Sequence, residues 1–152
     1  GFQDGIKGSA VVVAETKHGD VGKEVQARLV EDLLQTHKDL DYLAGTAVMA
    51  EAAVPLLRAR KLQDKIRLVS VYMTPGVYQH LKTKAIDAAG SAPVVLTARI
   101  TIDTAVRLLE KKVEHTDIYT LGQVYTPENI GTLDRSTVLA PDGFKPVFKV
   151  GK

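Results

Sequence analysis

The chain contains no cysteine, so disulfide frameworks, zinc-cysteine centres and cysteine nucleophiles are excluded. It has no apolar run near the roughly 20 residues that a membrane-crossing helix needs. It has no excess of one charge: 20 basic against 18 acidic side chains leave a net charge of +2, spread along the sequence. That excludes a basic stripe for nucleic acid and a polybasic membrane patch. The start, Gly1-Phe2-Gln3-Asp4, has neither a Met nor a secretory apolar segment. The expectation is that the start has been removed or that the chain is a piece of a longer protein.

Several chemistries are missing too. The four histidines at 18, 37, 80 and 115 are not at metal-ligand spacing, and are read as solvated surface groups. There is no phosphate-cradling GxxxxGK[ST] and no GxGxxG after a strand; Gly5, Gly8, Gly19 and Gly22 read as turn punctuation. Ser91, in Gly90-Ser91-Ala92, lacks the GxSxG elbow of an exposed nucleophile. Asp39 and Asp41 straddle a strand start and read as solvated turn residues rather than an acid/base pair. The chain is expected not to be an enzyme, and to need no cofactor and no metal.

What is present is 152 residues, 45% hydrophobic and 25% charged, enough for one globular core. Phe2 to Gly8 reads as the end of a helix, and Ala10 to Ala14 as a β-branched strand covered on both faces. From Asp20, a candidate N-cap, Val21, Val25, Leu29, Val30, Leu33 and Leu34 fall on one helical face. Leu40 to Ala44 reads as a strand, with Gly45-Thr46 its exit turn. Ala47 to Leu62 follows as an alanine-rich helix with Pro55 inside it. Ile66 to Tyr72 is a strand, and Thr74-Pro75 caps a helix through Leu81. Ala85 to Ala92 is a strand interrupted by Gly90.

Pro93 introduces a helix with Val95, Ala98, Ile102, Ala105, Val106 and Leu109 inward, and an outward Asp103–Arg107 pair. Ile118 to Tyr125 and Phe144 to Val150 read as further extended segments. This alternation predicts an α/β layered fold with a mainly parallel sheet. Ligands in such sheets bind at the carboxyl ends of the strands, which singles out Gly45, Thr46, Tyr72, Met73, Thr74, Ser91 and Ala92.

Four strings carry a resemblance. They are GFQDGIKG, the passage Val25 to Ala53 containing AGTAVMAEAA, VSVYMTPGVYQHLK, and the terminal PDGFKPV of Pro141 to Val147. In order and spacing they resemble the type I periplasmic-binding proteins, and within that family the branch that senses trimethylamine N-oxide. The resemblance implies the carboxy-terminal portion of a three-layer lobe with a mainly parallel sheet. Residues 1–92 would be the second lobe without its first strand, 93–117 a helix that packs on the absent first lobe, and 118–152 a return crossover and terminal strand.

Where sugar-binding members carry amide and carboxylate grips, this sequence has Gly45-Thr46, Tyr72 and Ser91. Sugar is thereby disfavoured. An aromatic ring suits a methylated, positively polarised nitrogen, with Thr46 or Ser91 as donor to the ligand oxygen. The other tyrosines, 42, 78, 119 and 125, are left to core or surface. The resemblance implies a periplasmic location, a trimethylamine N-oxide ligand and a membrane sensor histidine kinase as partner. It leaves open a binder of another small ligand, a sugar or an autoinducer, that serves a transporter or a different sensor.

Overall fold

The structure is a computed structural model that describes residues 1–115 and 117–147. Its centre is a sheet of four strands in the order β1 (Tyr42–Gly45), β2 (Arg67–Ser70), β3 (Ala88–Ser91) and β4 (Gln123–Tyr125). The first three are parallel and β4 is antiparallel to β3. A short α1 (Phe2–Gly5) opens the chain, and α2 (Lys23–Thr36) precedes β1. The helices α3 (Ala47–Ala59) and α4 (Pro75–Lys82) make the parallel crossovers. After β3 come α5 (Val94–Leu109), β4, a 3-10 turn at Ile130–Thr132 and α6 (Arg135–Val138).

The register puts Leu43 beside Leu68 and Ser70 beside Ala89, so these residues share one face of the sheet. All four are buried there beneath α3 and α4, and α2 packs outside on α3. Val30, Ala50, Ala53, Leu57, Leu68, Val77, Leu81 and Ile86 form the centre of this core. Fully burying a Leu or Ile side chain contributes about 1.5–3 kcal/mol, and Tyr125, Ile130, Leu133, Val138 and Leu139 extend the same core. The opposite face leaves Tyr42, Ala44 and Val124 exposed and Val69 and Ala88 half-buried. The described residues thus form two layers of the three expected.

Local signals explain the helix starts. Thr46 caps α3 by accepting from the Met49 N–H at 3.1 Å, and Thr74 caps α4 by accepting from Val77 N–H at 3.0 Å, with Pro75 first in the helix. Helix α3 continues through Pro55, which cannot donate to the Glu51 carbonyl and therefore costs one helical hydrogen bond. Helix α2 departs from expectation: its N-cap is Gly22, not Asp20, whose carboxylate instead accepts from Val21 N–H. The later start turns Val21 and Val25 outward, and the buried stripe is Gln26, Val30 and Leu34.

Five further expectations are corrected. Ala10 to Ala14 forms no strand; Val11, Val12 and Val13 are 56%, 86% and 41% exposed, and no strand among the described residues pairs with them. Gly90 lies within β3 rather than breaking it: a Cβ there would stand 2.7 Å from the Val71 carbonyl oxygen. The segment before β4 is paired only from Gln123, leaving Ile118 exposed. In α5 no residue is buried; Ala98, Ile102, Ala105, Val106 and Leu109 face solvent, while Val95, Leu96, Ile100 and Thr104 are half-buried. Of the strand expected over 144–150, Phe144 to Val147 are not in a strand and residues 148–150 lie outside the described residues.

Candidate functional site

Because β1, β2 and β3 run parallel, their carboxyl ends emerge at one edge of the sheet. Gly45 and Thr46 leave β1, Val71 and Tyr72 leave β2, and Ser91 and Ala92 end β3. Neighbouring strands lie about 4.8 Å apart, so the exits of β1 and β3 flank Tyr72. The three expected segments are brought to the same edge by topology.

Their side chains do different things there. Tyr72 is 41% exposed, and its backbone is held by Ser70, whose hydroxyl donates to the Tyr72 carbonyl at 2.7 Å. Met73, next in sequence, is buried in the core. The ring of Tyr72 is therefore presented on a fixed stretch of chain. Thr46 uses its oxygen to cap α3, and among the described residues its hydroxyl donates to no partner. Gly45 packs against Met49, whose terminal methyl would have to shift to admit a Cβ, since that Cβ would lie 2.9 Å from it.

Ser91 is buried, and its hydroxyl has no hydrogen-bond partner among the described residues. It borders a cavity of about 240 Å3 between β4 and the segment that follows, lined also by Gln123, Tyr125, Thr132, Asp134 and Thr137. Tyr72, Thr46 and Gly45 do not line that cavity, so Ser91 is set apart from the other three.

Sequence reasoning missed Glu51. Its carboxylate, on α3, accepts from the Thr74 hydroxyl at 2.5 Å and lies against Gly76. The signal was a single acid among buried alanines: Ala50, Ala52 and Ala53 are all in the core. Asp39 and Asp41 lie at the amino end of β1, away from this edge. Among the histidines, His18 and His115 are exposed, His80 is half-buried, and His37 is half-buried with its Nε2 2.8 Å from Glu15. Lys17 also binds Glu15 and, first among these causes, holds its carboxyl below the usual range, with His37 adding to the effect.

Comparison with known proteins shows what the chain is similar to. The periplasmic protein TorT of Escherichia coli K12 is 32% identical over 148 residues, which are 97% of this chain and 43% of TorT. Crystallised TorT in complex with the TorS sensor domain, in the presence of TMAO, superposes with a TM-score of 0.89 at 28% identity, over 97% of this chain and 50% of that one. The chain is a homologue of TorT and carries part of a type I periplasmic-binding fold. A solute-binding protein of an ABC transporter from Bradyrhizobium sp. BTAi1, solved with bound Bis-Tris, is 49% identical, with a TM-score of 0.88 over 97% of this chain and 44% of that one.

No protein-family model matches the chain. The chain spans about half the length of the relatives it matches. The Escherichia coli relative is named a periplasmic protein, and the Bradyrhizobium one a solute-binding protein of an ABC transporter.

Proposed function

We propose that this chain is the ligand-binding portion of a periplasmic sensor that takes up trimethylamine N-oxide and signals to a membrane sensor histidine kinase. The observation that carries the reading is Tyr72. Its ring stands partly exposed where β2 ends, on a backbone fixed by Ser70, in a homologue of a protein crystallised with a sensor domain in the presence of TMAO. A ring face attracts a methylated cationic nitrogen with about 0.5–2 kcal/mol per contact. Thr46, whose oxygen accepts from Met49 N–H, can donate its proton to the ligand oxygen. Ser91 ends the neighbouring strand but borders a separate cavity.

Residues 1–92 are in this reading the second lobe, and α5 docks on the first. The support is that α5 has apolar residues at 102, 106 and 109 yet buries none of its residues here. Ligand then binds between lobes, and closure changes what the kinase contacts, because a ligand shifts a conformational equilibrium only by its differential affinity for the two states.

A second reading is favoured by the Bradyrhizobium protein, named as a transporter component and holding Bis-Tris, a hydroxylated tertiary amine. The chain would then deliver a small amine to a transporter. Calorimetric titration of the intact protein with trimethylamine N-oxide and with ribose, with and without the periplasmic domain of the kinase, tests both. Heat with the amine oxide, none with ribose, and kinase binding that responds to ligand support the sensor. Ligand binding without any kinase binding supports delivery to a transporter. Binding of ribose alone overturns the amine ligand.

A further inference from the structure

The structure assigns to Glu51 the part of a positioning residue for Tyr72, an inference that rests on the reading of Tyr72 as a ligand contact. The Thr74 hydroxyl does two things at once: its oxygen accepts from Val77 N–H at 3.0 Å, and its proton goes to Glu51 Oε1 at 2.5 Å. Gly76, in the first turn of α4, leaves the carboxylate its place: a Cβ there would lie 2.6 Å from the Glu51 carboxylate carbon and would displace it. Among the described residues no cation pairs with Glu51, so this carboxylate is committed to the first turn of α4.

The consequence is a clamp on both sides of Tyr72. Upstream, Ser70 holds its carbonyl; downstream, Met73 is sunk in the core and Thr74 is tied to α3 through Glu51. Helices α3 and α4 are thereby locked at the edge where the ring emerges. A hydrogen bond to a charged, half-buried acceptor is among the stronger single ties a fold offers. Without it the segment 72–76 loses its fixed link to α3, and the ring loses its place.

The test is amide exchange and ligand titration on the intact protein. Glu51→Ala is expected to speed exchange across residues 72–77 about tenfold while leaving Val30 and Leu34 unchanged. It is also expected to weaken trimethylamine N-oxide binding about tenfold. Glu51→Gln, which keeps an oxygen to accept from Thr74, restores most of both. Gly76→Ala, which drives the carboxylate away, reproduces Glu51→Ala and replaces it should that variant not fold. Unchanged exchange at 72–77, or Glu51→Gln as fast as Glu51→Ala, overturns the assignment. If the unaltered protein binds no trimethylamine N-oxide, the ligand reading fails, and the exchange comparison still decides the clamp.

Discussion

At the scale of single residues, close approach decides more than side-chain chemistry. Gly90 lets β3 pass the Val71 carbonyl, and any Cβ at 2.7 Å from that backbone oxygen must push two strands apart. Gly90→Ala is expected to cost about 1–3 kcal/mol, the usual penalty for overpacking, read from urea denaturation. Its role was not legible in the sequence, where a glycine inside an apolar run looks the same whether it ends a strand or fits against one. Tyr72 and Thr46 were legible as polar groups at strand exits. Glu51 was not, because its partner Thr74 is 23 residues away and only the fold joins them. Glu15 supplies a pH prediction. Its carboxyl is held low by Lys17 and then His37, so its stabilising effect is present above the unfolded pKa and is lost as pH falls through the folded one. Glu15→Gln should therefore flatten the acid limb of a stability-against-pH curve measured by denaturation.

At the scale of elements, the helices were the most legible part. Thr74-Pro75 announces α4, and alanines with apolar residues at helical spacing announce α3. Strand ends and the early valine run were less so, since a β-branched run records a preference for pairing and not whether a partner is present. The ends of helices carry a feature of their own. Lys61, Lys84 and Lys111 each stand two residues past a helix with positive φ, of 56°, 57° and 57°. Glycine takes that conformation without the steric cost a Cβ brings, about 1 kcal/mol or somewhat more. Lys84→Gly is thus expected to raise stability by up to about 1 kcal/mol, offset in part by the greater freedom of the unfolded glycine. A rise in the denaturation midpoint checks it; a fall would show that the lysine side chain contributes more than its backbone costs.

At the scale of the whole molecule, among the described residues one sheet face is covered and the other is open, and α5 contributes no buried residue. The α/β class and the parallel order of the strands were legible from the alternation of periods. The open face was not, because alternating burial marks a covered face only when the covering element is there. Topology then brings the exits of three parallel strands to one edge, and that edge is where the account places the ligand. The tail returns to the core through Arg135, whose guanidinium lies 5.1 Å from the centre of the Tyr78 ring on α4 and 2.7 Å from Asp142.

The central claim is that the ring of Tyr72 recognises a methylated nitrogen, and comparative titration of Tyr72→Phe and Tyr72→Ala in the intact protein tests it most directly. The account predicts that Tyr72→Phe, which keeps a ring face, binds trimethylamine N-oxide within a fewfold of the unaltered protein. Tyr72→Ala should lose about 0.5–2 kcal/mol of affinity. Equal binding by all three proteins would contradict it.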